Sequence, residues 1–316
     1  MDHPLISVVI NSYNQAAFLE ETIRSVIEQD YPNTELLLVD GGSNDGSLEI
    51  IRKYQDHFQW WVSEPDQGQA DGINKGLRRA TGDMVAWLNS DDYYLPGALS
   101  RAASAFAVHP QAALWYGDVV AVDENGDPFH NIPCGQYELK DLMTFHILNQ
   151  PAVFMNRQAL NKAGYLDLQY HYLLDHQLWL RMALQGELIH SPEVWAAGRY
   201  HSAAKNIANA GKFGEEAYRI ATWLLTDDSY QSQAGIMCKS IQAGAHRMNA
   251  RYLLDADQPR SAFVAYWKGL VSDFAIIRPE LHRMLYCLFA MIGLKPLKSL
   301  YLRLRRFLQP VNMESK

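Results

Sequence analysis

The chain predicts an α/β fold: an open, mostly parallel sheet flanked by helices, followed by a C-terminal helical appendage. Three observations carry this. Short β-branched, apolar runs alternate with amphipathic stretches over the first third of the chain, the connections between them are short, and strand signals fade from about residue 206. Such alternation implies right-handed crossovers between parallel strands and places ligands outside the carboxyl ends of those strands.

Leu5 to Ile10 is apolar on both faces, as a buried parallel strand requires, and the polar Asn11-Ser12-Tyr13-Asn14 follows as a loop. Asn14 or a neighbour can cap a helix that turns Phe18, Leu19, Ile23, Val26 and Ile27 to one face and ends before Pro32. Glu35 to Val39 is a second buried strand with Asp40 at its end. Gly41 to Ser47 is a glycine-rich loop opening a helix with Leu48, Ile50, Ile51 and Tyr54 as its apolar positions. A strand at Gln59 to Ser63, a loop over Glu64 to Gly68 and a helix from Gln69 to Ala80 come next. The fourth strand, from Gly82, delivers Asn89, Ser90 and the adjacent acids Asp91 and Asp92 to its far end, and Pro96 limits its continuation. A helix over 96–108 precedes an antiparallel hairpin, Leu114 to Val122 and Phe129 onward, turning at Asp123 to Asp127. Pro151 to Met155 reads as a strand and Leu173 to Leu184 as a helix with Asp175 in its first turn. Glu187 to Ile189 and Val194 to Tyr200 read as two short strand pieces ending at His201. Glu215 to Leu225, Ala234 to Leu254 and Pro259 to Phe274 are amphipathic helices.

A hydrophobic content of 48% is enough to fill a sizeable core. The formal charge of −7 argues against a nucleic-acid binder, yet residues 281–316 carry +6, leaving −13 for the rest. That tail interleaves Lys295, Lys298, Arg303, Arg305 and Arg306 with leucine and aromatic residues. It reads either as helices packed on the domain or as an interfacial segment in peripheral contact with an anionic membrane. Cys134, Cys238 and Cys287 are widely spaced and odd in number, which suggests neither a disulfide framework nor a zinc site and fits a reducing compartment. Met1 to Pro4 runs straight into the first strand with no basic n-region, and no apolar run is long enough to span a bilayer. The expected location is the cytoplasm, up to the inner face of the membrane.

Two neighbouring aspartates repel each other unless a cation, hydroxyl or water takes up their lone pairs. Mg²⁺ and Mn²⁺ want few protein oxygens plus phosphate oxygens, so the Asp91-Asp92 tip predicts a phosphate-handling site with a divalent ion. The glycine-rich loop lacks a dinucleotide fingerprint, because Ser43 holds the third glycine place, and no Lys-Ser/Thr follows it to make a P-loop.

Several ordered motifs then point one way: Ser7 to Asn14 with Phe18-Leu19, Leu38-Val39-Asp40-Gly41-Gly42-Ser43-Asn44-Asp45-Gly46-Ser47, Glu64-Pro65-Asp66-Gln67-Gly68, Asn74-Lys75-Gly76, Ala80-Thr81-Gly82-Asp83, Leu88-Asn89-Ser90-Asp91-Asp92, and Asp175 to Arg181. Over about residues 5 to 205 the chain resembles an inverting glycosyltransferase of family two, with the Rossmann-like GT-A fold of nucleotide-diphospho-sugar transferases. The resemblance implies a catalytic domain at 1–205, with a helical appendage at 206–280 and a basic amphipathic tail at 281–316. It implies a nucleoside-diphosphate sugar donor and a glycan or lipid-linked acceptor in polysaccharide or glycolipid assembly. Asp40 would read the nucleobase edge, with Ser12, Tyr13 and Asn14 beside the base and Gly42 in the same nucleotide-binding loop. Asp91 would contact ribose or metal, Asp92 would bind the Mn²⁺ or Mg²⁺ on the diphosphate, and His201 would be a further metal ligand. Lys75 or Arg78 would assist the diphosphate, and Lys205 would reach a phosphate. Asp175 matches the general base. Asn89 stands where relatives often have Asp, and Leu174 where they often have an acid. Those departures leave a catalytically inactive nucleotide-sugar or glycan-binding module as the alternative.

Overall fold

The computed structural model describes residues 3–201 and 210–293. Its strands are β1 (Ile6–Ser12), β2 (Thr34–Asp40), β3 (Trp60–Ser63), β4 (Met84–Asn89), β5 (Tyr93–Tyr94), β6 (Leu114–Val122), β7 (Pro128–Ile132), β8 (Val153–Asn156) and β9 (Leu188–Arg199). They form one sheet in the order β3-β2-β1-β4-β8-β6-β9-β5, with β7 paired to β6. The first four in that order are mutually parallel, β8 runs against both neighbours, and β6 and β9 are parallel again. This is the predicted open α/β sheet. Alternate residues of the central strands, Ile6, Val8 and Ile10 with Leu36, Leu38, Met84, Ala86 and Leu88, fill one core face.

Helices α1 (Ala16–Ile27), α2 (Ser47–Lys53), α3 (Gln69–Leu77) and α4 (Ala98–Val108) fall in the segments whose apolar spacing predicts them. α3 lies hard against β1 because Gly76 has no side chain: a Cβ there would come within 2.3 Å of Val9 Cγ1. Asn74, on the same helix and 1% exposed, grips the backbone of Leu166 from both sides. Its Nδ2 donates to the Leu166 carbonyl at 2.8 Å, and the Leu166 amide donates to its Oδ1 at 2.9 Å.

The elements differ from expectation in four places. The two strand pieces after residue 187 are one strand, β9, whose pairing with β6 shifts register between Tyr116 and Asp118, and the irregularity accommodates Pro192. β5 is a two-residue strand beside β9 that apolar patterning does not flag. Short helices α5 (Leu139–Met143) and α6 (Arg157–Ala163) were unassigned, although Asn156 caps α6 by accepting from the Gln158 and Ala159 amides. Finally, Asn14 is no helix cap. It takes a positive φ of 52°, Gln15 occupies the cap position of α1, and the Ala16 amide donates to Asp45 instead. α7 (Leu174–Met182) closes the first unit's helices.

Two compact units result: Met1–Glu138 with Ile147–Tyr200, and Leu139–His146 with the described residues from His201 onward. The second contains α5 and α8 (Ala210–Thr226), α9 (Gln231–Asp255), α10 (Pro259–Ser272), α11 (Phe274–Ile277) and α12 (Leu281–Met291). Its core joins Ala250, Leu254, Ala262, Tyr266, Ile277, Met284 and Cys287. Leu139–His146 belongs to it because Arg247 Nη2 donates to the carbonyls of Thr144 and Phe145, at 2.9 and 3.2 Å, and Gly244 leaves room for the Thr144 backbone. Lys205 and the tail cations from Lys295 to Arg306 lie outside the described residues.

Replacing Asn74 by Ala leaves the buried amide and carbonyl of Leu166 without partners, so urea denaturation should show a loss of about 2–4 kcal/mol. In the helical unit, burial and then the nearby Arg247 hold His146 below the ordinary histidine range, and burial and then Lys268 do the same for His246. The folded chain thus binds these protons less readily than the unfolded one, and the associated stability, full above about pH 6.5, is lost as pH falls below it. Thermal melts from neutral pH downward should fall accordingly, and His146→Gln with His246→Gln should flatten the slope.

Candidate active site

Parallel register places Ser12, Asp40 and Ser63 in one row at the carboxyl edge of β1, β2 and β3, and sets Asn11 beside Asn89 of β4. Asp40 is fully buried. Its Oδ2 accepts from the amides of Gly42 (3.1 Å) and Ser43 (2.9 Å) and from the Ser63 hydroxyl (2.7 Å), and its Oδ1 accepts from the Ser43 hydroxyl. The carboxylate expected at the base edge therefore builds the turn that carries Gly42, whose φ of +83° suits glycine. Asn14 closes the same loop pair: its amide donates to Ser43 Oγ at 2.8 Å, and the Asn44 amide donates to its Oδ1 at 3.0 Å.

What faces outward is different. Tyr13 is 62% exposed. A Cβ on Gly41 would lie 2.7 Å from Asp66 Oδ2 and 3.2 Å from the Tyr13 ring, and one on Gly72 would lie 3.0 Å from the same Asp66 oxygen. The Asp66 carboxylate therefore packs directly over the buried backbone of Gly41 and Gly72, beside the exposed Tyr13 ring. Asp66 had no assigned role, though it lies inside the Glu64-Pro65-Asp66-Gln67-Gly68 motif. Ser12 Oγ and Asn11 Oδ1 are buried at the neighbouring strand end without a hydrogen-bond partner among the described residues.

The Asp91-Asp92 tip is held from three sides. The Thr22 hydroxyl of α1 donates to the Asp92 carbonyl at 2.7 Å, the Arg199 amide donates to Asp92 Oδ1 at 3.0 Å, and Asn89 Nδ2 donates to Asp92 Oδ2 at 3.3 Å. Burial, reinforced by the Asp91 charge, pushes the Asp92 carboxyl well above the usual range, so its ionised form needs positive charge beside it. Asn89 belongs to an amide chain: its Oδ1 accepts from Gln69 Nε2 and its Nδ2 donates to Gln150 Oε1, both at 2.9 Å, while Gln150 Nε2 donates to the Trp87 carbonyl.

Arg199 is the residue that sequence reasoning passed over. Its side chain is 1% exposed; Nε donates to the Asp91 carbonyl (3.0 Å), Nη1 to the carbonyls of Asp123 (3.2 Å) and Glu124 (3.0 Å), and Nη2 to Glu21. Its place beside Tyr200 and His201 was the available signal. His201 itself is buried and opens the second segment of the helical unit. Among the described residues no group of three or more His, Cys, Asp or Glu side chains is assembled to hold a metal. The strand-end acids form a pair. Two carboxylates, one of them buried and short of positive charge, fit a hard divalent ion whose remaining ligands are water and phosphate oxygens.

Asp175 stands in the first turn of α7, where Oδ1 accepts the His176 amide at 2.7 Å. Trp179, one turn further along the same helix face, stacks on Trp87 of β4 with ring centroids 5.1 Å apart. Trp87 and Asn89 share a face of β4, so this stack fixes α7 over the strand that leads to the acids. Arg181 ties the preceding loop, donating to the carbonyls of Ala163 (2.6 Å) and Tyr165 (2.7 Å). Lys75 is engaged elsewhere: Nζ lies 2.8 Å from Glu64 Oε1 and 3.8 Å from Asp71 Oδ2. Arg78 lies over the Tyr165 ring at 5.1 Å.

Fold and strand-end acids together define a glycosyltransferase of GT-A type. Residues 7–162 match the family model described as glycosyl transferase family 2. A PGL/p-HBAD biosynthesis glycosyltransferase of Mycobacterium bovis is 30% identical over 188 residues, covering 57% of this chain and 70% of the relative. An uncharacterized glycosyltransferase of Mycobacterium tuberculosis matches with the same identity and coverage. The chain belongs to glycosyl transferase family 2. Among solved structures, Staphylococcus aureus TarS 1-349 in complex with UDP-GlcNAc superposes with a TM-score of 0.59 at 16% identity, covering 88% of this chain and 92% of that one. The mannosyltransferase PcManGT from Pyrobaculum calidifontis, in complex with GDP-Man and Mn²⁺, does so at 0.62 and 19%, covering 93% and 88%. At these identities the two structures speak for the fold alone.

Arg199→Met removes donors to three backbone carbonyls and should lower the unfolding free energy by about 3 kcal/mol in chemical denaturation. Because the Asp92 carboxyl is pushed up in the folded state, that state binds its proton more tightly than the unfolded chain does. Metal-free protein should therefore lose stability as pH rises out of the carboxylate range, Mn²⁺ should restore it, and Asp92→Asn should flatten the pH dependence.

Proposed function

We propose that the protein transfers a sugar, with inversion, from a nucleoside-diphosphate sugar to a hydroxyl of a glycan or lipid-linked acceptor. The observation that carries this reading is the Asp91-Asp92 pair just beyond the carboxyl end of β4, with Asp92 buried, on the sheet edge that also carries Asp40 and the exposed Tyr13. The nucleotide-sugar ligands of TarS and PcManGT, and the Mn²⁺ of the latter, support the donor class and the ion.

In this reading the base stacks on the exposed Tyr13 ring with the Asp66 carboxylate at its edge, while Asp40 and Asn14 hold the loop beside it. Ser12 and Asn11 offer their unpartnered atoms to the donor. Asp92, with Asp91 at the ribose side, would hold Mn²⁺ or Mg²⁺, which when bound neutralises charge on the departing diphosphate. Asp175 takes the proton from the acceptor hydroxyl as that oxygen attacks the anomeric carbon. The bond to the diphosphate breaks, and its electron pair leaves with the nucleoside diphosphate. One displacement inverts the configuration. A retaining route would need a second carboxylate acting as nucleophile.

Thermal-shift measurements with UDP, GDP and dTDP, each with and without Mn²⁺, test the reading. One nucleotide should stabilise the protein only when the ion is present, and Asp92→Ala should abolish the shift. Asp175→Asn should keep the shift and lower transfer by about 100-fold or more. No ion-dependent shift with any nucleotide would overturn the donor assignment, and a shift without transfer or donor hydrolysis in the unmodified chain would make it a binding module.

A further inference from the structure

The helical unit turns two stripes of large apolar side chains to solvent. On α10, Val264, Trp267 and Val271 are 52%, 53% and 72% exposed, while Ala262, Ala265, Tyr266 and Gly269 of the same helix are buried. On α12, Leu281, Leu285 and Leu288 with Ile292 just beyond its end are exposed, whereas Met284, Cys287 and Ala290 are buried. Spacings of three and four residues put each set on a single helix face. Surfaces of soluble monomers rarely leave such stripes uncovered.

Charge indicates what covers them. Arg260 and Lys268 lie one turn to either side of Val264, on the same face of α10, and are exposed. No ion pair with a carboxylate among the described residues engages either. With Tyr218, Asn249, Leu253 and Val264 they line a cleft of about 360 Å³, in which Asn249 Nδ2 donates to the Tyr218 hydroxyl at 3.1 Å. Beyond Gly293 the sequence adds six Lys or Arg residues against one Glu. If that segment folded back over the α10 stripe, or if a second copy packed its own α10 stripe there, cations would meet cations. An anionic surface is complementary to all of them. No helix among the described residues is long and apolar enough to cross a membrane, so the contact is peripheral.

We propose that α10 and α12 form a docking face for an anionic phospholipid bilayer. Val264, Trp267, Val271, Leu285 and Leu288 enter the boundary of the acyl region, and Arg260 and Lys268 meet headgroup phosphates, the division of labour of an interfacial amphipathic helix. The inference is independent of the sugar chemistry. It concerns the surface that the chain occupies.

The test is flotation of the full chain with vesicles of phosphatidylcholine alone or mixed with phosphatidylglycerol. Binding should require the anionic lipid and weaken with salt. Combined Trp267→Ser, Leu285→Ser and Leu288→Ser substitutions, all at exposed positions, should reduce the bound fraction about tenfold with the thermal midpoint unchanged. Arg260→Gln with Lys268→Gln should reduce it severalfold. Brominated lipid should quench tryptophan fluorescence in the unmodified chain and not in Trp267→Phe. Equal flotation of the apolar-face variant and the unmodified chain would overturn the proposal. So would loss of binding on neutralising Arg303, Arg305 and Arg306 alone, or a dimer that the apolar substitutions convert to monomer while flotation is unchanged.

Discussion

A carboxylate taken out of water at the end of a strand is the constraint around which the first unit is arranged. Asp92 is 8% exposed and sits beside a second acid; among the described residues its carboxylate accepts from a backbone amide and a side-chain amide and from no ammonium or guanidinium. Hydrogen bonds from neutral donors orient a carboxylate without cancelling its charge, so the folded chain stores an unmet demand for positive charge at that point. The nearest guanidinium, that of Arg199, is directed at carbonyls and at Glu21, which holds the tip in place without neutralising it.

The surrounding elements keep that tip and α7 in fixed relation. Trp179 stacked on Trp87 couples α7 to β4, and Asn74 couples α3 to the loop that leads toward α7. Gly76 lets α3 approach β1 closely enough for its neighbour Asn74 to reach that loop. Each device is buried, so a small displacement costs packing or leaves a polar group unpaired. Asn89 is held by three partners, Gln69, Gln150 and Asp92, so this neutral side chain is fully engaged in a network at the strand end.

Most of the sheet and the identity of the acids were legible in the chain. Apolar runs such as Leu5 to Ile10 and Glu35 to Val39 are too short for helices and too apolar for half-exposed strands, so period and length settle them together. Asp40, Asp91 and Asp92 follow such runs directly, which places them at strand ends with no knowledge of pairing. β9 was less legible because Pro192 interrupts its pattern, and β5 because two residues make no period.

By itself, the sequence determined the order of strands and helices, which residues end each parallel strand, and the family motifs that run through them, since these depend on local spacing. Only the tertiary structure decided how those residues divide their work. Asp40 and Asp66 are both acids in loops at strand ends, yet register buries the first behind a turn and leaves the second beside Tyr13 and over two glycines. Arg199 reaches Asp91 across more than a hundred residues of chain. Lys75, a free cation on a helical wheel, is claimed by Glu64. The physical reason is the same in each case: burial and hydrogen-bond partners come from segments distant in the chain, and side-chain charge acts only where those partners leave it unsatisfied.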